Sequence, residues 1–189
     1  NISSQAQQSI FSYGSVLYAD GSHTRISPSV EWYPGTPFSA AAEYAQEKQD
    51  IAVAANGPVH SFTNSAWRVT TGYVLTGEAA TKSGVTPQNP FKPADGKWGA
   101  FELVLRASGL DLDSDLFKSV ATGGAGLNGL NNVESATAYG IGLNWYLNRN
   151  FRFLVNLEHT DFDGGKTPTA QTGARDDETA FISRVHLSF

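Results

Sequence analysis

Toward the end of the chain the apolar side chains fall on every second position. In Phe151-Arg152-Phe153-Leu154-Val155-Asn156-Leu157-Glu158 the odd positions are apolar and the even ones mostly polar. In Phe181-Ile182-Ser183-Arg184-Val185-His186-Leu187-Ser188-Phe189 the odd positions are again mostly apolar, with Arg184, His186 and Ser188 between them. Strand side chains alternate faces with a period of two, so one face of each segment is greasy and the other wet. Such alternation over about ten residues, repeated between turn signals, is the mark of a transmembrane β-barrel.

Followed from the start, the pattern predicts about eight strands. Residues 1–8 are polar and read as loop, and residues 10–18 read as a first strand. Ala19-Asp20-Gly21-Ser22 reads as a hairpin turn, because Asp-Gly supplies the positive φ that such turns need. Residues 24–33 alternate, with Ile26, Val30 and Trp32 opposite Arg25, Ser27, Ser29 and Glu31; Pro28 predicts a local distortion. Pro34-Gly35-Thr36-Pro37 is a turn. Residues 38–48 follow as a strand, with a helix as the rival because Ala, Glu, Gln and Lys favour one.

After the break at Asn56-Gly57-Pro58, residues 60–76 set Trp67, Val69, Thr71, Tyr73 and Leu75 against Ala66, Arg68, Thr70, Gly72 and Val74. Residues 98–109 set Phe101, Leu103 and Leu105 against Glu102, Val104 and Arg106. Residues 137–147 place Tyr139, Ile141, Leu143, Trp145 and Leu147 opposite the small Ala138, Gly140 and Gly142, which suggests a wide lumen or an inserted loop. Asn148-Arg149-Asn150 is a short turn, and the strand after it runs to Phe162. Long loops are expected at residues 77–97, 110–132 and 163–177. Counted back from a periplasmic chain end, 110–132 and 163–177 face outside and 77–97 is periplasmic. The length of 77–97 breaks the rule of short periplasmic turns, so this segment is expected to fold into the lumen.

Composition narrows the class. No apolar run approaches the roughly 18 residues of a membrane helix. With no cysteine there is no disulfide framework or thiolate metal site. There is no Met and no signal segment at Asn1, so the chain reads as a processed product or a fragment. A net charge of -5 argues against nucleic acid as a partner. Nothing resembles a nucleophile elbow, a phosphate-binding loop or a pair of catalytic carboxylates, and no enzyme activity or cofactor is expected. Asp111, Asp113 and Asp115 lack the Gly and distal Glu of a calcium loop and read as a solvated loop. Asp161-Phe162-Asp163-Gly164-Gly165 reads as a turn signal. The histidines His23, His60, His159 and His186 show no ligand spacing, so no metal site is expected.

The alternation puts Arg25, Arg68, Arg106, Arg152 and Arg184 on the polar faces. A guanidinium stays charged at any working pH and offers a fork of donors suited to phosphate oxygens. A row of them along a pore wall lowers the barrier for anions. The same faces carry Glu31, Glu43, Glu47, Glu102 and Glu158, so the alternative is that Arg and Glu pair across strands and hold the wall in shape. Glu102 and Arg106 lie about 13 Å apart along one strand, so each must find its partner on a neighbouring strand. Trp32, Trp98, Trp145, Tyr146 and Phe151 lie near expected periplasmic turns and suggest an aromatic girdle.

Several stretches together resemble a known family. They are Thr24-Arg25-Ile26-Ser27-Pro28, Tyr73-Val74-Leu75-Thr76-Gly77-Glu78, Asn89-Pro90-Phe91, Trp98-Gly99-Ala100-Phe101-Glu102-Leu103 and Leu110-Asp111-Leu112-Asp113. Gly142-Leu143-Asn144-Trp145-Tyr146-Leu147-Asn148-Arg149-Asn150, His159-Thr160-Asp161-Phe162 and the closing Ser183-Arg184-Val185-His186-Leu187-Ser188-Phe189 complete the set. In this order and spacing they resemble the carboxy-terminal half of the phosphate-selective porin O and P family.

The resemblance implies an all-β transmembrane antiparallel barrel, of which this chain, as a single domain, supplies half of sixteen strands. It implies a Gram-negative outer membrane with its lipid and lipopolysaccharide, a homotrimer, and a water-filled channel for anions such as phosphate or polyphosphate. It also implies lumenal Arg and Lys as selectivity elements. The amino-terminal strands must then come from the rest of a longer chain or from a partner chain. Phe189 looks like the terminal signal of such barrels. Two rivals remain: an independent eight-stranded barrel with a structural or adhesive role, and a soluble sandwich or lipocalin-like binder.

Overall fold

A computed structural model describes residues 2–13, 17–53, 57–127, 132–165 and 175–188. Phe189, and with it the expected terminal signal, lies outside the described residues. So do Asn56 and most of the loop expected at 163–177.

Ten strands form. β1 (Ile2–Ser3) and β2 (Ser9–Phe11) make a small hairpin. The remainder are β3 (Tyr18–Ile26), β4 (Ser29–Trp32), β5 (Phe38–Ala52), β6 (Val59–Val74), β7 (Ala100–Asp111), β8 (Val133–Tyr146), β9 (Phe151–Gly164) and β10 (Glu178–Leu187). These eight make one antiparallel sheet, ordered β10-β9-β8-β7-β6-β5-β3, with β4 also on β5. β5 to β9 are 12 to 16 residues long, more than the 9–11 a tilted strand needs to cross hydrocarbon. Among the described residues the sheet is not closed, since β3 and β10 do not pair with each other. The independent eight-stranded barrel therefore does not form here.

The register sorts side chains as the alternation predicts. On one face Thr71, Leu105, Ile141, Leu157 and Phe181 lie in one row across five strands. Val155, Leu157, Val185 and Leu187 are exposed on that face, as are Val30, Trp32, Val69 and Tyr73. Among the described residues this outer face is left uncovered apart from Phe91 against Trp145 near the short turn, which is the reverse of a soluble sandwich. The buried clusters all lie elsewhere, on the inner face and toward its two ends. At the end carrying the connections 53–58, 112–132 and 165–177, Leu116, Phe117, Ala125 and Leu127 pack with Phe11, Ile51 and Phe62. At the opposite end, with the short turn at 147–150, Ala80 and Val85 pack on Val74, Ala100 and Tyr146. Residues 80–85 thus pack on the inner wall, whereas Phe91, later in the segment 77–97, packs against Trp98 and Trp145. Ala80 N–H donates to the Thr36 carbonyl at 2.9 Å, and Phe91 N–H to the Leu147 carbonyl at 2.7 Å.

Four sequence expectations are corrected. Residues 10–18 do not form the expected wall strand: Ser9–Phe11 pairs with Ile2–Ser3, and among the described residues of this stretch only Tyr18 joins the sheet. Ala19-Asp20-Gly21-Ser22 is a bulge within β3 rather than a hairpin turn. Ala19 pairs with Ile51 and His23 with Gln49, so residues 20–22 face Asp50 alone. Gly21 has φ +116°, which a bulge accepts as readily as a turn. The Asp50 carboxylate fixes the bulge by accepting from Ser22 N–H at 2.9 Å and Ser22 Oγ at 2.8 Å. Asp161 to Gly164 belong to β9, and the chain leaves the strand only after Gly164. Tyr146 is no girdle residue: it is 4% exposed and points inward, because it pairs with Ala100 and Arg152 on the inner face.

Other expectations hold. The helix alternative for residues 38–49 gives way to β5, which pairs with β6 over its full length. Pro28 interrupts β3–β4, yet its carbonyl still accepts from Tyr44 N–H at 3.1 Å. Trp145 stacks with Phe101 at 5.7 Å between centroids and with Phe153 at 5.9 Å, and Phe91 bridges Trp98 and Trp145. An aromatic band therefore does sit by the short turn.

Candidate functional site

The inner wall is the chemically rich surface. Its rows follow from register: Ala41, Thr70, Arg106, Gly140, Glu158 and Ala180 lie side by side, and so do Glu43, Arg68, Ser108, Ala138, Thr160 and Glu178. Arg68 donates to Glu43 across one strand gap, at 2.8 Å. Arg106 reaches Glu158 at 3.4 Å by passing over β8 at Gly140. A Cβ at Gly140 would stand 3.2 Å from Glu158 Oε2 and 3.7 Å from Arg106 Cβ. Gly142 gives the same clearance to Asn156, and Gly72 to Ser39 and Glu102. The inner glycines therefore do not widen the lumen directly. They let neighbouring polar side chains lie flat against the wall, a use that pattern reading missed.

Glu102 is buried and held by Asn144 Nδ2 at 2.9 Å and the Tyr146 hydroxyl at 2.8 Å. As expected from their spacing, Glu102 and Arg106 find partners on other strands.

The remaining arginines differ from Arg68 and Arg106. Arg25 lies opposite Glu47 in register, but Glu47 is taken by His23 at 2.5 Å. Arg25 instead borders a cavity of about 380 Å³ beneath the amino-terminal hairpin, with Phe11, Tyr13 and Asn64. Burial raises the Tyr13 hydroxyl pKa against the opposing hydrogen bond with Asn64. Arg152 lies over the Tyr146 ring at 5.6 Å, and its Nε is buried without a partner. Arg184 is exposed on the inner face of β10. Arg25, Arg152 and Arg184 form no ion pair among the described residues, where Arg68 and Arg106 each form one.

Arg152 and Tyr146 border two cavities. One, of about 240 Å³, is lined also by Thr70, Thr81, Lys82 and Asn144; the other, of about 40 Å³, by Arg149 and His186. The backbone at Ser83 and Gly84 lies between them, and a Cβ on Gly84 would stand 3.2 Å from Arg152 Nη1. Lys82 pairs with Glu31 at 2.7 Å. That hydrogen bond and charge raise the Lys82 pKa above its ordinary value, so its ammonium stays charged at any working pH. Lys82 escaped sequence reasoning because it sits in an aperiodic segment. In the other long loop, Asp113 accepts from Thr63 N–H of β6 at 2.8 Å and from Asp115 N–H at 3.0 Å, and Asp115 pairs with Lys118. Asp113 thus ties the loop to the wall as well as capping its own turn.

The profile of the family described as phosphate-selective porin O and P matches residues 3–185. The chain belongs to this family. It is a channel family of the Gram-negative outer membrane and not an enzyme family. Membership agrees with a sheet that is apolar outside and polar inside, and with strands long enough to span a bilayer. No curated protein and no solved structure matches the chain.

Proposed function

We propose that this chain forms, as one domain, part of the wall of a water-filled porin for passive uptake of small anions, phosphate or polyphosphate among them. Its free cations carry the selectivity. The observation behind this is the division among the arginines: Arg68 and Arg106 are neutralised by carboxylates, whereas Arg25, Arg152 and Arg184 present guanidinium groups without one among the described residues. A permeant anion then exchanges between weak sites, with Arg152 at the narrowing made by residues 80–85, while Lys82, paired with Glu31, belongs with the neutralised cations.

In this reading the short-turn end is periplasmic and the end with loops 112–132 and 165–177 faces outside. The apolar face meets lipid and lipopolysaccharide, further strands complete the cylinder beyond β3 and β10, and the barrel works as a homotrimer. The test is the reversal potential of single channels in a salt gradient, first with chloride and then with phosphate. Wild type is expected to favour the anion, and Arg152→Gln and Arg184→Gln to lower the anion-to-cation ratio more than Arg68→Gln does. A cation-selective wild type, or a ratio that none of these changes moves, refutes the reading. Deletion of residues 80–95 should raise conductance; unchanged conductance and selectivity would show that the segment leaves the path open.

A further inference from the structure

The outer face carries a second concentration of chemistry, where β9 and β10 meet near the long-loop end. His159 and Asp161 are two positions apart on β9 and so point the same way, outward. Asp177 arrives from the other side of the loop, immediately before β10. One imidazole nitrogen and one oxygen from each carboxylate lie within 4.8 Å of one another. This corrects the expectation that no histidine joins a ligand cluster: Asp177 is far from His159 in sequence, and only strand pairing brings it there.

Two carboxylates this close repel unless a positive charge stands between them. The protein supplies little. Among the described residues neither Asp161 nor Asp177 pairs with Lys or Arg. Arg175, close by in sequence, turns to the opposite face, over the Phe162 ring at 5.0 Å and onto the Ser9 carbonyl at 3.1 Å. The one cationic candidate is His159 itself, with Nε2 3.0 Å from Asp161 Oδ1. Its other nitrogen is anchored by Thr179 Oγ1 at 2.9 Å, the kind of outer contact that orients a metal-binding imidazole. Asp177 is positioned in turn by Phe162 N–H at 3.4 Å.

We propose that His159, Asp161 and Asp177 bind a first-row divalent cation of the zinc type. One imidazole and two carboxylates suit such an ion. In a tetrahedral zinc site donors stand about 3.4 Å apart, so small rotations of these exposed side chains close the set. The ion ties the start of β10 to β9. That tie matters because β10 is an edge strand here, with no partner on its far side among the described residues. The three groups lie next to the exposed row of Leu157, Ile141 and Phe181, so the ion sits on the lipid-facing surface near its long-loop rim. This proposal is independent of the anion path.

The experiment is calorimetric titration of the full chain, folded in detergent, with Zn2+, alongside thermal melts with and without the ion. Wild type is expected to take up one saturable equivalent and to melt higher with zinc. His159→Ala and the near-isosteric Asp161→Asn and Asp177→Asn should each weaken binding by roughly tenfold or more and abolish the rise in melting temperature. His186→Ala, at the other end of the sheet, should bind as wild type does. If wild type takes up no zinc, His159 is merely a hydrogen-bond partner of Asp161 and the proposal is wrong. It is equally wrong if the asparagine variants, folded by circular dichroism, bind as tightly as wild type.

Discussion

Leu157 and Glu158 are neighbours in β9, yet the leucine is 47% exposed and the glutamate 5% exposed. The same inversion runs across the sheet. Ile141 and Phe181 stand free beside Leu157 on the outer face, while Glu102, Glu158 and Thr160 are buried on the inner one. In a water-soluble sheet this order would be unstable, since apolar area would stay wet and carboxylates would lose hydration. It is sensible when the outer solvent is hydrocarbon. The comparison teaches that burial within one isolated chain does not mark the hydrophobic side of a membrane strand. What marks it is the absence of protein partners for apolar side chains.

The largest effect should come from leaving an inner charge alone. Arg106→Ala strands Glu158, whose Oε1 already lacks a partner, and should cost about 3 kcal/mol in chemical unfolding from lipid vesicles. Adding Glu158→Gln to that variant should recover much of the loss. If the single variant is as stable as wild type, the inner pair carries no structural weight and the contrast between faces weakens.

Next is a charge placed on the wrong side. Leu157→Arg, midway along β9, should cost about 2–4 kcal/mol, whereas Asn156→Arg one residue earlier points inward and should cost clearly less. Equal costs in the same unfolding assay would erase the distinction between lipid and lumen. A smaller change of about 1–3 kcal/mol is expected for Gly142→Ala, because the new Cβ collides with Asn156. Asn156→Ala in the same chain should relieve it. The smallest effect is for Arg68→Ala. Its pair with Glu43 is about half exposed on both sides, so the loss should stay below about 1 kcal/mol. A larger loss would mean that the Arg68 pair is as structural as the Arg106 pair.

Much of this was legible from side-chain order. The outer rows, the strand nature of residues 38–48 and the break at Pro28 follow from period and from turn chemistry. Two misreadings have different causes. Asp20-Gly21 supports a bulge as well as a turn, and the decision fell to β5, which is long enough to pair on both sides of it. Tyr146 was grouped with the aromatic girdle by its nearness to the turn, although its parity placed it inward beside Arg152. At the candidate site, all five arginines were identifiable by parity, but not which of them meets a carboxylate. Arg106 and Glu158 are 52 positions apart and separated by a whole strand.

The sequence by itself determined the two-sidedness of each strand, because parity along an extended backbone admits only two faces. The membrane class was not in the alternation alone, which a soluble sandwich shares; it came from the ordered family stretches and from an apolar face that the fold leaves exposed. The tertiary structure decided which charges cancel, where glycine clears a path over a strand, and how His159 comes to lie beside Asp177. Those outcomes depend on register between strands, and register is set by pairing across the whole sheet rather than by any one segment.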